Sequence, residues 1–187
     1  CSGIVTSTNH ECQPMGPHYL RMLFSPKSVA VFGASERANA VGQIVFRNIR
    51  ESGYTGVLYP VNPAHQEVQG QRAYATIEDI GAPVELAVIC TAAETVPDII
   101  EACGKHGVRA AMVLSAGFRE VGGRGASLEQ AMLAHAKHYG VRLIGPNCLG
   151  MMRTAIGLNA TFFNGRIKPG HLALVSQSGG LCTAMLD

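Results

Sequence analysis

The sequence predicts an α/β fold with a doubly wound parallel sheet in the order 3-2-1-4-5-6, and three observations carry that expectation. Short apolar runs alternate with segments of helical period, as in successive right-handed βαβ units. The runs are continuously apolar rather than alternating, which is the pattern of strands covered on both faces. Glycine closes several of the runs and helices, where a turn needs a backbone that a Cβ would hinder.

Each element follows in order. Ser28-Val-Ala-Val-Phe-Gly33 reads as a first strand, and Val41, Ile44, Val45, Asn48 and Ile49 recur at helical spacing before Gly53. Gly56 to Val61 is a second strand that ends in Asn62-Pro63, and a short third strand is expected around Arg72 to Tyr74 before a helical turn over Thr76 to Ile80. Leu86 to Cys90 is the fourth strand; a helix runs from about Thr95 to Lys105, with Pro97 in its first turn and Gly107 beyond its end. Arg109 to Leu114 is the fifth strand. Gly122 to Gly125 reads as a flexible loop, and Ser127-x-x-Gln130 as a capping box opening a helix to Tyr139. Val141 to Ile144 is the sixth strand.

After Gly150 the periodicity lapses. Residues 151–170 read as an extended connector, His171 to Val175 as a new strand, Ser176-Gln-Ser-Gly-Gly180 as a tight turn and the last residues as a helix start. The 187 residues correspond to roughly 1.25 domains at about 150 residues each. The expected organisation is a flexible arm over 1–22, one Rossmann-like domain over 23–150, the connector, and over 171–187 the first strand of a truncated second domain.

Composition narrows the function classes. Hydrophobic residues make up 47% and charged residues 15%, so the chain can bury a core and is not a disordered segment. A net charge of +2, with no Trp, six Phe and five Tyr, argues against nucleic-acid and membrane-surface partners. No apolar run approaches the ~18 residues of a membrane span, and the first twenty residues lack the pattern of a signal peptide. The six cysteines are scattered, without metal-ligand spacing, which points to no metal site and to a reducing, cytoplasmic setting.

In the predicted sheet a ligand belongs beyond the carboxyl ends of the strands, where the strand order reverses. That places Gly33-Ala34-Ser35 and Cys90-Thr91-Ala92 on opposite walls of one crevice. A strand–glycine–helix junction supplies backbone amides and a positive helix end suited to phosphate. The dinucleotide fingerprint is absent, because the glycines fall at 33 and 42. The second strand ends in Val61-Asn62-Pro63-Ala64-His65, with no carboxylate to take a ribose diol; an Asn and a nearby His suit a phosphorylated ribose better. NAD is therefore disfavoured, while NADP stays open on this ground.

Five motifs then occur in register: Pro26-Lys-Ser-Val-Ala-Val-Phe-Gly-Ala-Ser35, Tyr59-Pro-Val-Asn-Pro63, Leu114-Ser-Ala-Gly-Phe118, Leu143-Ile-Gly-Pro-Asn-Cys148 and Val175-Ser-Gln-Ser-Gly179. Together they make the chain, from about Leu23 to Asp187, resemble the coenzyme A-binding region of NDP-forming acyl-CoA synthetases and of the succinyl-CoA synthetase alpha subunit. The same region opens bacterial protein lysine acetyltransferases that carry a synthetase-like part.

The resemblance implies that coenzyme A or an acyl-CoA lies with its phosphates against Gly33, Ala34 and Ser35. It places Asn62, Pro63 and His65 beside the ribose phosphate, with His65 where the family often has a Lys, which is a fixed cation as a His is not. Thr91 and Ala92 then flank the adenosine; Leu114, Ser115 and Ala116 follow the pantetheine; Asn147 and Cys148 stand near the thiol. Ser176, Ser178 and Gly179 form a turn that faces the transferred phosphate in that family. Cys148 is read as a packing residue, since no His or Asp stands in a partner pattern for a nucleophile. The family relays phosphate through a histidine, and none of the seven here stands in that motif, so no catalytic residue is assigned. The resemblance implies acid, CoA and NTP going to acyl-CoA in a longer protein, with further domains or a partner subunit. A CoA-sensing, non-catalytic module of an acetyltransferase is the alternative.

Overall fold

The computed structural model describes residues 19–163, 165 and 168–186. A short helix α1 (Tyr19–Phe24) leads into β1 (Ser28–Phe32), whose five residues are all buried. Helix α2 (Val41–Glu51) follows, then β2 (Val57–Val61), a hairpin of β3 (Glu67–Val68) and β4 (Gln71–Arg72), and β5 (Leu86–Ile89). Next come α3 (Val96–Lys105), β6 (Ala110–Val113), α4 (Gly123–Tyr139) and β7 (Arg142–Ile144). A second hairpin of β8 (Gly150–Arg153) and β9 (Leu158–Thr161), and α5 (Gly179–Leu186), complete the described elements.

Five strands form one parallel sheet in the order β2-β1-β5-β6-β7. Alternate residues of each strand feed opposite faces, as the pleat requires. Ala30, Phe32, Ala87, Ile89, Ala111 and Val113 face α3 and α4, packing with Ile100, Phe118 and Met132. Val29, Val31, Leu86, Val88, Ala110 and Met112 face α2, packing with Val45, Phe46, Ile49 and Leu23. Both faces are covered, which explains the continuously apolar strands, and the architecture is the expected Rossmann-like one.

Four local expectations give way. The third strand does not join the sheet as a full edge strand. Gln71–Arg72 instead pairs antiparallel with Glu67–Val68 across a two-residue turn at Gln69-Gly70, and only Tyr74 makes a parallel bridge, to Val61. The loop at 122–125 is helical from Gly123, and Gly125 serves close packing: a Cβ there would stand 1.9 Å from the Phe118 carbonyl oxygen. Ser127 is consequently inside α4, its hydroxyl donating to Gly123 O at 3.2 Å rather than capping a helix start.

The third difference is that residues 151–161, read within the 151–170 connector, join Gly150 in forming the β8–β9 hairpin, which packs Leu158 and Ala160 into the α2 face of the core. The fourth is His171–Val175, which pairs with no strand among the described residues and exposes Leu172 and Val175 almost completely. A strand is defined by its partner, and here none is within reach. The helix start after Gly179 is present as α5.

Candidate functional site

In a parallel sheet all carboxyl ends share one edge, and the strand order here reverses between β1 and β5. Phe32 is level with Val61 on one side and Ile89 on the other, and Ile89 with Val113. The loops after β1, β2, β5, β6 and β7 therefore open side by side. Gly33, Ala34, Ser35, Asn62, Pro63, His65, Thr91, Ala92, Leu114, Ser115, Ala116, Asn147 and Cys148 all lie on these loops.

The glycine loop is built by two close approaches. Gly33 adopts φ +80°, and its N–H donates to Val61 O at 2.9 Å. A Cβ at Gly33 would stand 3.1 Å from both Cys90 O and Thr91 Cγ2, and φ +80° disfavours any side chain, so glycine lets the β1 and β5 loops approach this closely. Gly42, in the first turn of α2, is tighter still: a Cβ there would stand 1.9 Å from Gly33 O. The positive end of α2 is thus brought directly against the loop. Ala34 is buried, whereas Ser35 is half-buried and its Oγ accepts from the Arg37 N–H at 2.9 Å.

Across the second loop, the Asn62 side chain works within the protein. Its Nδ2 donates to Ala34 O at 2.7 Å, and its Oδ1 accepts from the Ala64 N–H at 2.9 Å. Pro63 and His65 are exposed beside it. The far wall is stitched strand to strand. The Ser115 hydroxyl donates to Thr91 O at 2.6 Å, the Asn147 N–H donates to Ser115 O at 2.9 Å, and the Cys148 thiol donates to Val113 O at 3.3 Å. The Thr95 hydroxyl lies 2.9 Å from both Thr91 Oγ1 and Ala92 O, which fixes the turn into α3. Leu114 is buried and Ala116 exposed at the rim.

Two thiols border this wall. Burial pushes the Cys90 thiol up to about 12, with the neighbouring Cys148 adding to it, and burial likewise raises Cys148. Neither is a poised nucleophile at neutral pH. Ser176, Ser178 and Gly179 lie outside the five loops in sequence, at the start of α5. The Ser176 Oγ accepts from the Ser178 N–H at 3.0 Å, and the Ser178 Oγ accepts from the Leu181 N–H at 3.2 Å, capping α5. A Cβ at Gly179 would lie 4.0 Å from that of Leu149, which sets this turn next to the loop after β7. A separate cavity of about 240 Å³ lies at the other end of α2, lined by residues that include Asn48, Thr154 and Asn159 and by none of the expected site residues.

Sequence reasoning missed Gln69. This residue sits at φ +50° in the turn of the β3–β4 hairpin, and its Nε2 donates to Gln43 O at 3.0 Å and to Ser35 O at 3.3 Å. A Gln-Gly pair between two short polar runs was the available signal.

Residues 27–154 match a protein family described as a CoA binding domain. The chain belongs to the CoA-binding domain family. Its relatives include an ADP-forming acetate–CoA ligase I of Archaeoglobus fulgidus, 43% identical over 168 residues that make up 90% of this chain and 24% of the ligase. The alpha subunit of the ADP-forming acetate–CoA ligase I of Pyrococcus furiosus is 42% identical over 171 residues, covering 89% of this chain and 37% of the subunit. Among solved structures, the dinucleotide-forming acetyl-coenzyme A synthetase 1 of Ca. Korarchaeum cryptofilum, in complex with phosphate and ADP, superposes with a TM-score of 0.85 at 38% identity over 89% of this chain and 36% of the other. This CoA-binding domain thus spans between about a quarter and two fifths of the length of these relatives. These relatives are ligases, and they lend no support to the acetyltransferase alternative. Among the described residues no helix is long and apolar enough to cross a membrane.

Proposed function

We propose that the chain holds coenzyme A or an acyl-CoA across the carboxyl edge of its sheet, as the CoA-binding part of an ADP-forming acyl-CoA ligase. The observation that carries this reading is the convergence of five loops at the β1/β5 reversal in a domain of the CoA-binding family. The diphosphate lies against the amides of the Gly33-Ala34-Ser35 loop and the positive end of α2. Pro63 and His65 border the ribose phosphate, and Thr91 with Ala92 the adenine side. The pantetheine follows Leu114, Ser115 and Ala116 toward Asn147 and Cys148.

In this arrangement the chain contributes binding and orientation. It has no activated nucleophile along the wall, and its part is to hold the CoA thiol at a fixed place for acyl transfer. The acyl phosphate that such a ligase consumes would approach from the side of Ser176, Ser178 and Gly179, which are supplied with backbone amides at the start of α5. In a longer protein this turn would open a second domain, with the remaining machinery on further domains or a partner subunit. A cytoplasmic setting fits CoA chemistry and the scattered thiols.

Calorimetric titration tests the reading. CoA and acetyl-CoA should bind with one site per chain, and dephospho-CoA should bind more weakly through loss of the contact at His65. Failure of both CoA and acetyl-CoA to bind would overturn it.

A further inference from the structure

Two side-chain amides reach the phosphate loop from the β2 side, and they take two consecutive carbonyls. Asn62 Nδ2 donates to Ala34 O at 2.7 Å, and Gln69 Nε2 donates to Ser35 O at 3.3 Å. Both peptide units are trans, so in each the N–H points opposite to the carbonyl. Fixing the Ala34 carbonyl toward Asn62 turns the Ser35 N–H away from it, and fixing the Ser35 carbonyl toward Gln69 turns the Glu36 N–H away likewise. Neither N–H has a protein acceptor among the described residues. The Glu36 carboxylate, which would repel a phosphate, is drawn off to the Gln69 backbone N–H.

Gln69 also occupies a costly conformation for what a turn alone requires. At φ +50°, followed by Gly70 at φ +76°, it sits where Gly or Asn is favoured. Its side chain is held against Gln43 O in α2 as well as Ser35 O, so the hairpin is latched both to the loop and to the helix that follows it. Outliers of this kind mark places where structure is spent on function.

We propose that Gln69 and Asn62 are positioning residues that orient the Ser35 and Glu36 amides toward the CoA diphosphate. The inference rests on the CoA-binding reading above. Gln69→Gly separates positioning from folding, because glycine suits the turn while the brace is lost. Its unfolding midpoint should equal or exceed that of the parent, while its Kd for CoA rises about tenfold. Asn62→Ala should weaken CoA by a similar factor.

Amide NMR supplies a readout that a purely structural role would leave alone. In the parent, the Ser35 and Glu36 amide protons should shift downfield on CoA addition. In Gln69→Gly those two shifts should shrink while that of Ser115 persists. If the parent binds CoA and Gln69→Gly binds it within twofold with both shifts intact, the positioning role is wrong. If the parent itself takes no CoA, the proposed function falls and this inference with it.

Discussion

At the residue scale, the glycines and thiols of the carboxyl edge set sharp limits. Gly33→Ala forces a Cβ to 3.1 Å from Cys90 O at a positive φ, and should destabilise the fold by about 1–3 kcal/mol. Because the strain falls on the phosphate loop, CoA affinity should drop by about tenfold or more, measured by calorimetry against the melting temperature. A Gly33→Ala variant with unchanged CoA affinity would remove this loop from the site. The thiols lead to the opposite expectation. With its thiol at about 12, Cys90 has a thiolate fraction of about one in ten thousand at pH 8, so alkylation should be slow in the folded protein and should quicken as pH rises toward that value. Cys148→Ser should bind CoA within about twofold of the parent, since the thiol donates to Val113 O and a serine hydroxyl can make the same bond. Complete loss of binding there would give the thiol a direct part.

At the scale of elements, the β8–β9 hairpin depends on one buried amide. Asn48, in α2, donates through Nδ2 to Thr161 O at 2.8 Å and to Phe163 O at 2.9 Å. Asn48→Ala leaves both carbonyls unpaired beneath the hairpin and should cost about 2–3 kcal/mol in denaturant unfolding followed by circular dichroism. A cost under about half a kilocalorie would mean that Leu158 and Ala160 alone anchor the hairpin. This hairpin also shows what the sequence could not disclose. The strands β1, β5 and β6 were legible because burial on both faces leaves an unbroken apolar run. Gly150-Met-Met-Arg153 and Leu158-Asn-Ala-Thr161 mix polar and apolar residues, and Asn159 and Thr161 are buried by bonding to each other. Such polar burial is decided by tertiary partners and has no periodic signature. The candidate site divides the same way: Gly33 and Gly42 could be read from spacing, but the work of Asn62 and Gln69 depends on loops meeting across the β1–β2 edge.

At the scale of the whole molecule, the described structure falls into a body with a covered sheet and a following stretch with little holding it. Residues 168–175 are all exposed, with Leu172, Leu174 and Val175 turned largely to solvent. Leu181 and Met185 of α5 are exposed as well. Nothing in residues 168–178 adds a strand to the sheet or a member to either core cluster. Apolar side chains displayed in this way suit a surface that another domain or subunit covers. The body should therefore stand without them. A chain ended after Phe163 keeps α1, the five-stranded sheet, the helices that cover it and the hairpin, and loses no residue of the five loops. Its melting midpoint should lie within about 3 °C of the parent, because little apolar area is given up. Its CoA affinity should stay within about twofold, and saturating CoA at 100 times Kd should still stabilise it by about 2.7 kcal/mol. Scanning calorimetry with and without CoA reads both quantities. A truncated chain that loses its cooperative transition would place 165–186 inside the folding unit. One that melts normally but loses CoA would move Ser176, Ser178 and Gly179 from the acyl-phosphate side into the CoA site itself.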